Sequence, residues 1–339
     1  MKSKIIYFLI VLSITLLSCD NATVLSQVSV NERQILVDNN PFLIKGICYH
    51  PVSIGSNKRS FETIDLDLEL MKEAGINTIR VYSPIDDINV LDKINEAGLK
   101  VIIGFGYNDP ADPYNIYSGN FLNYIKNYKN HNAILMWELG NEYNYHPEYF
   151  GGDLKNWYDA MNNAAMLIHD NDPNHLVTTA HGDLPNKLAL SLSPNIDVWG
   201  MNVYRMLEPE TIFSEWEAIS TKPMYLSEVG ADSYMAKPVK GYAQGENQKA
   251  QADANKTILK NIFSNKELCS GAAIFSFTDG WWKAGANDVQ DVGGWAPDGS
   301  GVPFDRVPNE EYWGIVDIHR NKKETFKIIK RIYLNQKHN

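Results

Sequence analysis

Three cysteines in 339 residues are too few for the disulfide framework that stabilises small secreted domains. Basic residues are also scarce, since 31 Lys and Arg stand against 41 Asp and Glu, a formal net charge of −10. This balance argues against nucleic acid as a partner, because a protein that binds phosphate backbones needs a basic face. A hydrophobic fraction of 44% excludes a disordered chain, and no repeat of the solenoid kind is present.

Long apolar runs are missing except at the N-terminus. There Lys2 and Lys4 precede the apolar residues 5–17. The run is shorter than the ~20 residues that a bilayer-spanning helix needs. A short basic start followed by such a run is typical of an export signal, which is not part of the folded domain.

The end of this run indicates lipidation. LLSC at 16–19 is similar to the bacterial lipobox, in which cleavage leaves a lipid-bearing cysteine at the new N-terminus. We therefore expect a lipoprotein signal peptide over 1–18, a lipid on Cys19 and a short tether over 19–27. The protein would be exported and anchored in the membrane, facing the periplasm or the cell surface. An ordinary cleaved signal with a chance cysteine is the alternative.

The rest of the chain, 28–339, predicts one (β/α)8 barrel. Residues 28–30 and 34–37 predict a β-hairpin in front of it. Eight short apolar runs then alternate with longer helical patterns, which is the unit count of that barrel. The predicted strands are 44–49, 78–82, 101–105, 134–138, 176–180, 198–203, 224–227 and 272–277. An open dinucleotide-binding sheet is disfavoured, because no Gly-x-Gly-x-x-Gly follows the first strand. The long irregular stretch 283–313 should lie over the mouth of the barrel.

Two glutamates follow strands on opposite sides of this mouth. Glu142 lies after the fourth strand and Glu228 at the end of the seventh. A retaining glycosidase needs two carboxyl groups ~5–5.5 Å apart, one protonated and one ionised. Arg80 and Tyr204 should keep Glu228 charged. Glu142 would be kept protonated by desolvation between its sequence neighbours Trp137 and Tyr143.

Several motifs here resemble glycoside hydrolase clan A, whose members are retaining (β/α)8 hydrolases. LGNE at 139–142 matches the acid/base motif of the clan, and LSEVG at 226–230 matches its nucleophile motif. IKGICYHP at 44–51 and WGIVDIHRNKKETF at 313–326 are similar to the family 2 barrel. NTIRVYSPID at 77–86 is similar to family 72, the β-1,3-glucan enzymes, and GMNVY at 200–204 is similar to both families.

The resemblance implies roles for individual residues. Glu142 would be the acid/base and Glu228 the nucleophile. Asn141 would bind the sugar 2-hydroxyl, while Arg80 and Tyr204 would orient and ionise Glu228.

The remaining predicted substrate contacts are donors and rings. His50 and His181 would be subsite donors. Family 2 tends to place a tryptophan on the eighth strand, whereas this chain has Phe275 and Phe277. The sugar-stacking ring is therefore expected from Trp281 or Trp282. Neither a cofactor nor a metal is implied, and PDGSG at 297–301 is interpreted as a solvated turn.

The predicted function is hydrolysis or transglycosylation of a β-linked polysaccharide or oligosaccharide, with β-1,3-glucan suggested by the family 72 likeness. An exo-β-galactosidase, an exo-β-glucuronidase or a β-mannanase is the nearest alternative. A non-catalytic glycan-binding surface lipoprotein and a periplasmic scaffold are alternatives of other classes. Cys48 and Cys269 are predicted to be free, buried thiols, because they lie at opposite ends of neighbouring strands.

Overall fold

Eight parallel strands close into a barrel, in which each strand pairs with its neighbours in chain order and the eighth pairs with the first. The computed structural model describes residues 25–110, 112–294 and 304–336. The strands are β1 (Ile44–Cys48), β2 (Thr78–Val81), β3 (Lys100–Phe105), β4 (Ile134–Asn141), β5 (Leu176–Gly182), β6 (Val198–Asn202), β7 (Met224–Val229) and β8 (Gly271–Ile274). The predicted TIM-barrel architecture is confirmed.

One helix follows each strand and covers the outside of the barrel. The helices are α1 (Ile64–Glu73), α2 (Ile88–Glu96), α3 (Phe121–Tyr128), α4 (Leu154–Asn171), α5 (Lys187–Leu192), α6 (Thr211–Ile219), α7 (Gln248–Phe263) and α8 (Glu324–Asn335). Two 3-10 turns, Tyr143–Tyr145 and Pro147–Phe150, follow β4. Within the described residues, no helix combines the length and the apolar character needed to cross a bilayer.

The predicted hairpin closes the lower end of the barrel. Val28–Asn31 pairs antiparallel with Gln34–Val37, and a third short strand, Asn40–Pro41, is added to it. The amide of Val28 donates to the carbonyl of Asn174, just before β5. The hairpin therefore lies at the amino ends of the strands, opposite the end where the sequence predicts the site.

The barrel fold buries both faces of its strands. Every residue of β2 and β7 is buried, including the polar residues Thr78, Arg80, Ser227 and Glu228. Burial of both faces is typical of a parallel sheet that helices cover. Cys48 and Cys269 are buried and unpaired, as predicted.

The ends of two strands differ most from the sequence prediction, and the other six strands differ by one or two residues at an end. β4 continues to Asn141, and β8 ends at Ile274, just before a cis peptide bond between Phe275 and Ser276. Both differences lie at the mouth, where strand ends turn to present side chains. The predicted signal peptide, Cys19 and the PDGSG segment lie outside the described residues.

Candidate active site

A cavity of about 930 Å³ opens at the carboxyl ends of the strands. Six of the nine predicted catalytic or substrate-binding residues line it: His50, Asn141, Glu142, Tyr204, Glu228 and Trp282. Arg80 is fully buried and reaches the carboxylate of Glu228. The described parts of the stretch 283–313 contribute Lys283 and Glu310 to the wall, so these parts lie at the mouth.

Glu228 is held in one orientation by three donors. Its Oε1 accepts hydrogen bonds from Arg80 Nη1 at 2.8 Å and from the Tyr82 hydroxyl at 2.6 Å. Its Oε2 accepts one from the Tyr204 hydroxyl at 2.9 Å. The Glu228 side chain is only 7% exposed. A guanidinium and two phenol donors around one carboxyl group suit an ionised acceptor.

Arg80 is itself fixed by a second carboxylate. Its Nε and Nη2 donate to Glu138, which also accepts a hydrogen bond from the Tyr225 hydroxyl at 2.9 Å. Burial by itself lowers the pKa of Arg80, but the charges of Glu138 and Glu228 raise it well above its usual value. A buried guanidinium that is paired in this way has little freedom to move, so Glu138 positions the group that orients Glu228.

Glu142 occupies a different environment at the end of β4. Burial, followed by the charge of Glu228, raises the pKa of Glu142 to about 7. The desolvation predicted for Glu142 is therefore present, although the two rings named for it make their contacts elsewhere. Trp137 lies in the core with its indole N–H donating to Asp172, and Tyr143 packs edge-on against Trp157. Neither ring lines the cavity.

Local backbone geometry aims Glu142 at the cavity. The pairing of β4 with β5 shifts register between Leu139 and Asn141, and Glu142 has a left-handed φ of 55°. Gly140 is also left-handed, and a Cβ there would lie 2.5 Å from the ring of Trp157. Residue 140 must therefore be glycine for the chain to turn at this point.

Asn141 presents its amide nitrogen to a ligand. Its Oδ1 accepts hydrogen bonds from Arg80 Nη2 at 2.7 Å and from Asn202 Nδ2 at 3.1 Å. The NH2 group is therefore the part that can donate to a sugar hydroxyl. The Ser227 hydroxyl donates to Asn202 Oδ1 at 2.7 Å, which fixes the orientation of Asn202 as well.

His50 and Trp282 form one wall of the cavity, with ring centroids 4.9 Å apart. Burial, followed by the charges of Arg59 and Lys283, lowers the pKa of His50 to about 4. His50 is therefore neutral near pH 7 and can donate or accept a hydrogen bond.

Two predicted substrate contacts do not line the cavity. Both ring nitrogens of His181 are already engaged, by the Tyr158 hydroxyl at 3.2 Å and by the Asp183 carbonyl at 3.0 Å. Trp281 packs edge-on against His319 instead. The expectation that His181 and Trp281 contact substrate is therefore not met, since side chains at a strand end diverge over one or two residues.

Several residues of the site were not among the predicted ones, including Tyr82, Glu138, Asn202 and Trp313. All four stand in or beside the motifs quoted above, so the motifs pointed to the right segments. Trp313 lines the cavity between Tyr204 and Phe275, and its buried indole nitrogen has no hydrogen-bond partner. It begins the motif at 313–326, but nothing in that motif indicated that its ring reaches the site.

The described residues contain no group of three or more His, Cys, Asp or Glu side chains placed to hold a metal ion.

Comparison with known proteins places the barrel in a family. The model described as "Glycosyl hydrolases family 2, TIM barrel domain" matches residues 28–253. A β-glucuronidase of Chlorocebus aethiops is 24% identical over 279 residues, which cover 74% of this chain and 41% of that protein. The 1,3-beta-glucanosyltransferase GAS4 of Saccharomyces cerevisiae is 24% identical over 267 residues, which cover 62% of this chain and 55% of that protein. The chain thus spans well under two thirds of the length of either relative.

A solved structure shows the same fold. The family 2 β-galacturonidase of Eisenbergiella tayi bound to galacturonate superposes with a TM-score of 0.66 at 20% identity. The superposition covers 92% of this chain and 55% of that protein.

Proposed function

The chain belongs to glycosyl hydrolases family 2 through its TIM barrel domain, and on that premise we propose that it is a retaining exo-β-glycosidase. One observation carries the proposal. A carboxyl group whose pKa is raised to about 7, Glu142, shares the cavity with a carboxylate held by three donors, Glu228. Two carboxyl groups in contrasting environments are what double displacement at an anomeric carbon requires.

In the first step, an oxygen of Glu228 bonds to the anomeric carbon and the glycosidic C–O bond breaks. Glu142 gives its proton to the departing oxygen, and the sugar remains as a covalent ester of Glu228. In the second step, Glu142 takes a proton from water, the water oxygen attacks the anomeric carbon, and Glu228 leaves as a carboxylate. The amide of Asn141 binds the sugar 2-hydroxyl throughout.

Exo action is supported by the relatives. Those matched over most of this chain are named β-glucuronidases, and the structural neighbour is a β-galacturonidase. The likeness to a 1,3-beta-glucanosyltransferase favours transfer to a second glycan as the other candidate.

The test is turnover of a panel of aryl β-glycosides and β-linked oligosaccharides, with products followed by NMR. We expect release of a single terminal sugar whose first-formed anomer is β. A first-formed α-anomer would contradict the retaining mechanism, and products longer than the substrate would establish transglycosylation.

Variants of the two glutamates sharpen this test. Glu228→Ala should abolish turnover, and added azide should then give the α-glycosyl azide, because it attacks in place of the missing carboxylate. Glu142→Ala with azide should give the β-glycosyl azide from a substrate with a good leaving group. Glu73→Ala, on the outer helix α1, is the matched control. Saturable binding without any turnover would favour the glycan-binding alternative.

We further propose that the protein is an exported lipoprotein anchored through Cys19, on the basis of its N-terminal sequence. The amide of Ser26 donates to Asn132 Oδ1 at 3.1 Å, close before the amino end of β4. A tether ending there would hold the lower end of the barrel to the membrane and leave the cavity facing outward. Wild-type protein should partition into detergent and incorporate labelled fatty acid, whereas Cys19→Ser should do neither. Fatty-acid labelling of that variant would contradict the anchor.

A further inference from the structure

The described lining of the cavity holds more carboxyl groups than basic side chains. Among the described residues that line it, Glu142, Asp183, Glu228 and Glu310 carry carboxyl groups, whereas Lys283 is the one lysine or arginine. A uronide would bring a further carboxylate into this space, whereas a neutral hexoside brings only hydroxyl groups. The availability of an unpaired cation therefore decides which of the two can bind.

Arg80 and Arg205, two arginines near the cavity, are fully engaged. Arg80 donates from all three of its side-chain nitrogens to Glu138, Glu228 and Asn141. Arg205 does not line the cavity, and its guanidinium pairs with both Asp183 and Glu215. Neither guanidinium can turn to a substrate carboxylate without leaving a partner unpaired.

Arg59 is a third arginine whose charge reaches the cavity wall, at His50. Its guanidinium does not line the cavity. It donates to the backbone carbonyls of Ser83 and Pro84 and lies over the Phe61 ring. Arg59 is therefore held away from a ligand by contacts of its own.

Lys283 is also neutralised within the cavity wall. Its Nζ lies 2.8 Å from Glu310 Oε2, and the two side chains are 20% and 31% exposed. The same ammonium group lies 4.2 Å from the centre of the Phe275 ring. The pair is therefore partly desolvated and held against the wall, where it presents no net charge to a ligand.

We propose that the cavity accepts a neutral β-glycosyl unit and rejects uronides, and that the Lys283–Glu310 ion pair is the determinant of this choice. The inference rests on the proposed function and specifies its substrate class. A substrate carboxylate would lose its hydration among like charges without gaining a cation. The relatives that are named β-glucuronidases or β-galacturonidases would then share the fold of this chain but not its preference for a neutral glycosyl unit.

The experiment compares kcat/KM for nitrophenyl β-glucoside, β-galactoside and β-mannoside with kcat/KM for the β-glucuronide and β-galacturonide. We expect at least one neutral glycoside to be preferred over both uronides by about 100-fold or more. Glu310→Gln leaves the Lys283 ammonium without its counter-ion and should raise kcat/KM for a uronide by about tenfold. Glu73→Gln, which removes the partner of Lys322 and Lys330 on the outside of the barrel, is the matched control and should leave the preference unchanged.

A wild-type preference for a uronide would overturn the inference while supporting the proposed function. A Glu310→Gln variant that gains no uronide turnover would overturn the role of the ion pair. If no glycoside is cleaved, the proposed function is wrong, and calorimetric binding of glucose and glucuronic acid to the wild-type protein still decides the inference. Tighter binding of glucuronic acid would then overturn it, and tighter binding of glucose would support it.

Discussion

At the scale of single residues, two glutamates with the same intrinsic chemistry take different roles because their surroundings differ. Glu228 receives three hydrogen bonds, one of them from a guanidinium. For Glu142, burial and the charge of Glu228 raise the pKa to about 7. The division of labour between acid and nucleophile thus follows from the donors that each carboxyl group meets.

The raised pKa of Glu142 predicts the alkaline limb of the pH profile. The acid must be protonated in the first step, so kcat/KM for a substrate with a poor leaving group should fall about tenfold per pH unit above about pH 7. The measurement is a kcat/KM profile from about pH 5 to about pH 9, and Glu142→Gln should lose the limb.

Glu311 supplies the control for this profile. Burial raises its pKa to about 7 as well, and it accepts backbone N–H groups of Ala284 and Asp291 in the loop over the mouth. Glu311→Gln should keep the limb. If the limb disappears in this variant instead, its source is the loop and the assignment to Glu142 is wrong.

Tyr82 provides a second prediction at this scale. Tyr82→Phe removes the 2.6 Å hydrogen bond to Glu228 and should lower kcat by about 10- to 100-fold, since a hydrogen bond to a charged group contributes about 1.5–3 kcal/mol. KM and the melting temperature should change little. Tyr117→Phe, at a residue 70% exposed, is the control. An unchanged kcat in Tyr82→Phe would show that the other two donors suffice.

At the scale of elements, the end of β4 does most to shape the site. The strand continues to Asn141, a register shift and two left-handed residues turn the chain, and two 3-10 turns follow. Tyr145 and His146 of these turns line the cavity on the side of Glu142. Because Glu142 protonates the leaving oxygen, the leaving group should lie against this wall.

This placement predicts that Tyr145 affects KM for a substrate with a sugar leaving group more than KM for an aryl glycoside. Tyr145→Ala should raise KM for a β-linked oligosaccharide about tenfold, a loss of about 1.4 kcal/mol, and should change KM for an aryl glycoside much less. Tyr117→Ala removes a ring that does not line the cavity and serves as the control. Equal effects of Tyr145→Ala on both substrates would place the leaving sugar elsewhere.

Element positions could be predicted because the period of apolar residues reports burial along each segment. All eight barrel strands and all eight helices lie where the sequence predicts them, with boundaries a few residues different. The lengths of β4 and β8 were less predictable, since a bulge and an irregular strand end leave no periodic signal.

At the scale of the whole molecule, the barrel interior is closed from below by the N-terminal sheet. Val28 and Ile35 of this sheet pack with buried residues from the lower parts of the strands: Ile44, Ile102, Leu135, Met136, Val198 and Tyr225. The hairpin is therefore part of the barrel core, and the cavity at the other end depends on it only through global stability.

Ile35, which is fully buried, tests this organisation. Ile35→Ala should lower the free energy of unfolding by about 2–5 kcal/mol, because it leaves a cavity in a closed core. Activity of the folded fraction should be retained, since the residue is at the end opposite the site. Val30→Ala, at a residue 37% exposed, should lower stability by much less. A selective loss of kcat in Ile35→Ala at full folding would contradict the separation of the two ends.

The sequence by itself determined the barrel, the hairpin, the two glutamates and their neighbours Arg80, Asn141 and Tyr204, because each follows from local periodicity or from a short motif at a strand end. Only the tertiary structure decided which side chains at those ends meet. Tyr82 and Glu228 are 146 positions apart, Arg80 and Glu138 are 58 apart, and neither of these contacts was predicted. Contacts over such separations depend on barrel closure and strand register, which no local pattern encodes.

The same reason explains why His181 and Trp281 turn away while Trp313 and Glu310 reach the cavity. Successive side chains at a strand end point in different directions, and loop residues acquire their positions only from the surfaces on which they pack. The low content of basic residues in the composition has a local consequence that only the fold shows. The structure pairs the cation of the cavity wall, Lys283, with Glu310, and this pairing is a property of the folded barrel.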